Sequence, residues 1–289
     1  MSGAQEHDKA TGRQTTGHEW DGIKELNTPL PKWWLYVLYA CIVWSIGYWV
    51  VYPAWPTLAG YTHGMLGYST RATYAQQAAA AADAQKIWLD RIASSSVDQI
   101  VQDPELFDFA QNGGKAVFAE NCAPCHGAGG QGGPGYPILA DDSWLWGGKL
   151  SDIEQTIRYG VRSAHADTRV SEMPKFGVDQ VLTSEQISDV ADYVLSLSGG
   201  TVDPAVAERG APLFAENCVA CHGDKGVGNQ ELGGPALNDS IWLYGGERQH
   251  VVAQIASPKH GVMPSWEGRL SDNWIKMLTV YVHSLSGGQ

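Results

Sequence analysis

The nonapeptides FAENCAPCH (Phe118–His126) and FAENCVACH (Phe214–His222) decide how this 289-residue chain is read. Each ends in Cys-x-x-Cys-His, the attachment signature of a c-type haem. The motifs hold Cys122, Cys125, Cys218 and Cys221, so of five cysteines only Cys41 lies elsewhere. On a helix, residues i and i+3 share a face, and both sulfurs of a motif reach one porphyrin edge as thioethers. His126 and His222 then sit under the irons as axial ligands. A thioredoxin-like redox pair or half of a zinc site would also use Cys-x-x-Cys. Neither suits this chain: no strand–helix–strand pattern surrounds the motifs, and histidine follows in both copies.

The motifs belong to a longer duplication. PILADDSWLWGG (Pro137–Gly148) matches PALNDSIWLYGG (Pro235–Gly246), and YVLSLSGG (Tyr193–Gly200) matches YVHSLSGG (Tyr281–Gly288). The unit is about 90 residues, too long for a solenoid repeat and suited to a whole domain. The first copy is longer by about one short loop, between its WLWGG tract and its Met-Pro. Gly114 and Gly210 each precede a Phe by four residues, which puts a small and a large side chain on one helix face ahead of each motif. Thr183 with Gln186 forms a capping box, and Ile187, Val190, Val194 and Leu197 follow at helical spacing up to Gly199-Gly200. WIKMLTVYVHSLSGG repeats that helix. Helix pairs crossing at a glycine resemble the class I cytochrome c fold. The expected core is thin, with covalent haem supplying apolar contact.

Met173 (SEMPKF) and Met263 (GVMPSW) are the candidate sixth ligands. Both precede proline, which disfavours helix at the residue before it and holds them on extended backbone. Thioether ligation raises haem potential relative to a second imidazole. Met1 is the initiator, Met65 lies near the apolar segment, and Met277 falls in a periodic helix. His165 and His260 are rival ligands in the same loops, without counterparts at matching places. His250 and His283 read as surface or helix-face residues. Two pairings fit the sequence: each methionine serves its own repeat, or the two are exchanged. The carbonyls of Pro137 and Pro235, with Pro134 as a rival, are candidates to accept Nδ1–H of the ligating histidines. Trp144 and Trp242 are candidates to reach haem propionates; a packed core tryptophan explains them equally well.

Trp33–Tyr52 carries no charge over 20 residues, enough to span a bilayer. Trp33, Trp34 and Tyr36 mark one interface and Tyr48, Trp49, Tyr52 and Trp55 the other. A cleaved signal peptide fits less well, because the run is long, lies well into the chain and lacks a small-x-small site after it. Cys41 is expected to be an inert buried or lipid-facing thiol. Lys9, Arg13, Lys24 and Lys32 precede the span and only Arg71 follows closely, so the N-terminus is expected in the cytoplasm. Covalent haem c is attached outside the bacterial cytoplasm, which places the haem domains in the periplasm. Between span and motifs an Ala-rich helix is expected from about Thr73 to Ala93, and a short helix over Asp98–Ala110. It serves either as a spacer or as a docking element. The formal net charge is −12, suited to steering a basic donor and equally to plain solubility; no basic cluster suggests nucleic acid.

The tract His18–Pro56, with GHEWDGI and P-L-P-x-W-W, resembles the anchor of the diheme c-type subunit, subunit III, of cbb3-type cytochrome c oxidases (the CcoP/FixP family). The resemblance covers the whole chain: anchor, spacer and two haem domains. It implies an inner-membrane electron-transfer subunit without catalytic residues of its own. Such a subunit accepts electrons from a soluble or membrane cytochrome c or a bc1-type complex. It passes them to the monohaem and catalytic subunits of a proton-pumping terminal oxidase. The expected architecture is mainly α: 1–32 cytoplasmic, 33–55 anchor, 56–111 spacer, and cytochrome c domains at 112–200 and 203–289. Two covalent haem c groups are the expected cofactors. A diheme peroxidase or a haem gas sensor would need an open iron, which a Met-Pro in both copies argues against. A membrane-anchored diheme shuttle outside any oxidase differs only in its anchor.

Overall fold

The computed structural model describes residues 6–286. Met1 and the Gly287-Gly288 pair of the second terminal motif lie outside the described residues. The chain divides into two compact units, Met1–Ala84 and Gln85–Gln289.

The first unit opens with a hairpin that the sequence reading passed over, β1 (Thr15–Trp20) against β2 (Ile23–Leu26). Its turn is Asp21-Gly22, both with positive φ (49° and 83°), the pairing that suits the twist of a two-residue hairpin. Helix α1 (Lys32–Val51) follows Pro31 and ends where Pro53 forces Tyr52 into extended backbone (φ −111°, ψ 164°). The expected anchor 33–55 is therefore helical only to Val51, and its 20 residues rise about 30 Å. None of them, Cys41 included, is buried against the rest of the described chain. Tyr48 stacks on Tyr52 and Trp49 meets Trp55 edge-on, gathering the aromatics at the helix's C-terminal end. A short antiparallel pair follows, β3 (Pro56–Thr57) and β4 (Gly60–Tyr61).

Helix α2 (Thr70–Ser94) is the expected Ala-rich helix. The single short helix expected over Asp98–Ala110 is instead α3 (Val97–Gln102) and the start of α4 (Pro104–Asn121). Asp103 causes the break: its carboxylate accepts the Leu106 N–H at 3.1 Å, with Pro104 in the first turn. The first repeat continues with α5 (Ala123–His126), α6 (Leu150–Tyr159) and α7 (Ser184–Leu197). The second comprises α8 (Pro204–Asn217), α9 (Val219–His222), α10 (Arg248–Ala256) and α11 (Asp272–Ser286). The Thr183–Gln186 capping box is formed, with bonds of 3.2 and 2.9 Å.

The repeats do not close on themselves. Helix α11 packs on α4 and α6, and α7 packs on α8 and α10. Both helix pairs cross at the expected glycines, but with exchanged partners. A Cβ at Gly114 would lie 2.2 Å from the Met277 carbonyl oxygen, and one at Gly210 2.1 Å from that of Asp189. The segments 112–200 and 203–289 thus describe the duplication in sequence, whereas each packed bundle borrows its last helix. Chain connection explains this. Helix α7 is joined to α8 through Ser198–Asp203 alone, and helices so linked pack as neighbours. That leaves α4 to the equivalent face of α11.

Two cores result. Phe118, Ile153, Ile157, Ile275, Leu278 and Val282 fill one, and Phe214, Ile187, Val190, Val194, Val251 and Ile255 the other. Phe118 and Phe214 are almost fully buried, each worth roughly 1.5–3 kcal/mol. A third cluster joins Ile92, Ile100, Leu106 and Ala110 to Met277 and Val280 of α11, with Trp88 and Leu89 alongside. It fastens the end of α2 to the second repeat.

Candidate haem sites

Each Cys-x-x-Cys-His forms one tight turn at the end of a long helix. Cys122 N–H donates to Phe118 O at 2.8 Å, Cys125 N–H to Cys122 O at 3.1 Å and His126 N–H to Cys122 O at 2.9 Å. Cys218, Cys221 and His222 repeat these bonds at 2.8, 3.2 and 2.9 Å. Both turns stop at a glycine in the left-handed region, Gly127 (φ 79°) and Gly223 (φ 73°).

The histidines are fixed alike. Nδ1 of His126 lies 3.0 Å from the Pro137 carbonyl oxygen, and Nδ1 of His222 lies 3.0 Å from that of Pro235. Pro137, not Pro134, is the partner in the first site. With Nδ1–H donating, each Nε2 keeps its lone pair, the tautomer an iron ligand needs. Burial pushes both imidazoles below the ordinary histidine pKa, partly offset by the proline carbonyls, so they are neutral at pH 7. Burial, with the neighbouring thiol, pushes Cys122 and Cys218 up to about 11. A reactive dithiol needs the opposite shift. Among the described residues, no three His, Cys, Asp or Glu side chains gather as a zinc site would require.

The methionines are placed crosswise. Met263 packs against the core that holds Phe118, with Cys122 and Ala123 on the edge of that same core, whereas Met173 packs against the core that holds Phe214 and Cys218. The Met263 loop is held by Val161, with reciprocal backbone bonds of 3.0 Å. Gly160 permits this approach, since a Cβ there would lie 2.3 Å from the Met263 carbonyl oxygen. The Met173 N–H donates to Nε2 of His260 at 3.0 Å, so His260 supports a methionine loop, a role the sequence reading missed. Its position three residues before Met263, with no counterpart before Met173, was the available signal. His165 is engaged elsewhere: it stacks on Tyr159, accepts the Asp167 N–H at Nδ1, and meets Glu267 through Nε2 at 3.0 Å. Met277 is buried away from both motifs, against α3 and α4. His250 lies against the Gly245 turn and His283 on the last turns of α11.

The side chains fit a haem at each motif. The indole Nε1 of Trp144 is buried with no hydrogen-bond partner in the protein, as expected of a donor to a propionate. Trp242 packs at the equivalent place against the second core. Between the repeats runs a cleft lined by Asp141, Asp142, Trp144, Pro235 and Asp239. Burial raises the pKa of Asp141, with Asp142 and Asp239 adding to the shift.

Comparison with known proteins identifies the chain's three segments. Residues 12–59 match the N-terminal domain of cytochrome oxidase-cbb3, FixP. Residues 111–198 match cytochrome c, and 205–282 match the cbb3-type cytochrome c oxidase subunit III family. The chain is 52% identical to the cbb3-type cytochrome c oxidase subunit FixP of Bradyrhizobium diazoefficiens, over all of both chains. It is 50% identical to subunit CcoP of Azospirillum brasilense, over 98% of this chain and 99% of that one. Against CcoP of Cereibacter sphaeroides it is 47% identical over 95% of each. With the anchor, both cytochrome c domains and this full-length likeness together, the chain belongs to the FixP/CcoP family of cbb3-type cytochrome c oxidase subunits.

Proposed function

We propose that the chain relays single electrons to a cbb3-type oxidase through two covalent haem c groups, with the axial methionines exchanged between repeats. The reading is supported by Met263 packing against the core bordered by Cys122, and Met173 against the separate core that holds Cys218. Cys122 and Cys125 would hold one group and Cys218 and Cys221 the other. When bound, such a group supplies one-electron chemistry through its iron.

The remaining work belongs to the chain's own residues. Burial keeps the imidazoles neutral, the carbonyls of Pro137 and Pro235 orient them, and Trp144 and Trp242 offer N–H donors to propionates. A methionine and a histidine would together supply two ligands to each iron, a donor set that suits relay rather than catalysis. The acidic cleft at Asp141, Asp142 and Asp239 and the net charge of −12 favour a basic cytochrome c as donor. A bc1-type complex is the membrane-bound alternative. The monohaem and catalytic subunits of the proton-pumping complex receive the electrons. The excess of Lys and Arg before α1 supports a cytoplasmic N-terminus and periplasmic haems in a bacterial inner membrane.

An absorption-monitored redox titration with CO added to the reduced protein tests the relay. Two low-spin haems with a far-red methionine–iron band and no CO shift are expected; a CO-reactive haem in the unaltered protein would refute it. The exchange is tested in a chain whose second motif is disabled by Cys218→Ser and Cys221→Ser. There Met263→Ala should open the remaining haem to CO and Met173→Ala should not; the reverse result would place each methionine in its own repeat.

A further inference from the structure

The first repeat is longer than the second just before its Met-Pro, and that extra loop carries Arg162. Arg162 has φ 52°, in the left-handed region that a non-glycine residue adopts only at a cost. Such a conformation persists where the surroundings over-determine it. Here they do so through both methionine loops. Nε of Arg162 donates to the Gly261 carbonyl at 2.7 Å, and Nη1 to the Ser171 carbonyl at 2.8 Å. Gly261 stands two residues before Met263, and Ser171 two before Met173. One rigid guanidinium therefore grips the two loops at the same register.

The neighbouring bonds close a ring. Val161, next to Arg162, pairs with Met263; His260, next to Gly261, accepts the Met173 N–H; and the Arg162 N–H donates to Arg169 O at 2.8 Å. The corresponding stretch of the second repeat, Ser257–His260, has no arginine, so a single side chain serves both loops.

We propose that Arg162 is a shared positioning residue for both axial methionines, so that the two haem sites are mechanically coupled through one side chain. This rests on the His/Met reading above. A lysine cannot replace it fully, because a point charge on a flexible stem cannot hold two carbonyls in a fixed fork. Arg162 also places a permanent positive charge between the loops, which favours the reduced form of each haem.

The experiment is the far-red band, CO reactivity and redox titration of the full-length membrane protein bearing Arg162→Gln or Arg162→Lys. Arg169→Gln is the comparator, since the Arg169 side chain binds Thr156, Asp152 and Gln155 and not the methionine loops. Arg162→Gln should lose more than half of the total far-red amplitude, the share of a single haem. Both haems should gain CO binding, and both potentials should fall. Arg162→Lys should show a smaller loss, again from both haems. Arg169→Gln should change thermal stability and leave the band intact.

A loss confined to one haem, or unchanged bands with only a lower Tm, overturns the shared role. If Arg162→Gln does not assemble, Arg162→Lys decides alone: an intact band with unchanged potentials overturns the proposal. Absence of the band from the unaltered protein would refute the His/Met reading instead, so the two failures are distinguishable.

Discussion

Helices α7 and α11 hold the same place in the duplicated sequence and meet the same kind of neighbour, yet their outer faces are built oppositely. Tyr193 and Tyr281 meet Phe214 and Phe118 at similar tilts (54° and 57°), and each helix crosses a glycine. Outward, α7 presents Asp189 and Asp192, and at those positions α11 carries Met277 and Val280. The aspartates are little exposed but fully engaged. Asp189 takes a bidentate pair from Arg209 (3.0 and 2.8 Å), and Asp192 one from Arg248 (2.7 and 2.8 Å). Met277 and Val280 lie under Ile92, Ile100 and Leu106. Lys276 adds a polar fastening, donating to the carbonyls of Ile92, Ala93 and Ser95 at the end of α2. Inner faces are dictated by the cytochrome-like core and stay alike; outer faces follow what covers them. The end of the Ala-rich helix is therefore bound into the second repeat's last helix.

The largest test of this contrast exchanges the outer residues. Met277→Asp puts an unpaired carboxylate under the α2–α3 cover and should cost about 3–5 kcal/mol. Asp189→Met removes an ion pair whose arginine is half exposed and should cost at most ~1 kcal/mol. Thermal unfolding of the two proteins compares them, and equal losses would break the argument.

Next in size are the crossings themselves. Gly114→Ala and Gly210→Ala each drive a methyl into a backbone carbonyl and should cost about 1–3 kcal/mol or more. Because α4–α11 and α7–α8 are the packed pairs, both substitutions should also disturb the haem spectra. A harmless Gly210→Ala would contradict the close approach of α7.

The smallest effect should be shared equally by the two sites. His126 and His222 have folded pKa values below that of the unfolded chain, so the unfolded state binds more protons as pH falls through about 6.5. Stability contributed by the neutral buried rings is thus present above that pH and lost below it. Unfolding of the apo-protein between pH 8 and pH 5 should show Tm falling on acidification; a flat profile would mean that the rings are not buried neutral.

Much of this was legible beforehand. The haem turns, the capping box at Thr183 and the glycine crossings follow from residue spacing, and that chemistry is local. The exchange of helices was not legible, for a physical reason. Ile187, Val190, Tyr193 and Val194 match Ile275, Leu278, Tyr281 and Val282 almost residue for residue, so either helix fits either motif helix. The outer residues carried the distinguishing information: an apolar Met277 and Val280 demand a cover, and the preceding helices supply it. Arg162 escaped notice because its importance lies in two carbonyls from distant loops, which no local pattern reveals. The Asp21-Gly22 turn was a readable hairpin signal overshadowed by the apolar run beside it.

The exchange of helices also imposes an order in time on a chain made from its N-terminus. Under the proposed pairing the second site would draw on Met173 and His222, 49 residues apart, with the methionine first. On the same pairing the first site would draw on His126 and Met263, 137 residues apart, and its core closes only when α11 arrives. The motif that emerges first is therefore the last to be finished, and through the intervening synthesis its half-built pocket waits with the apolar side of Phe118 uncovered.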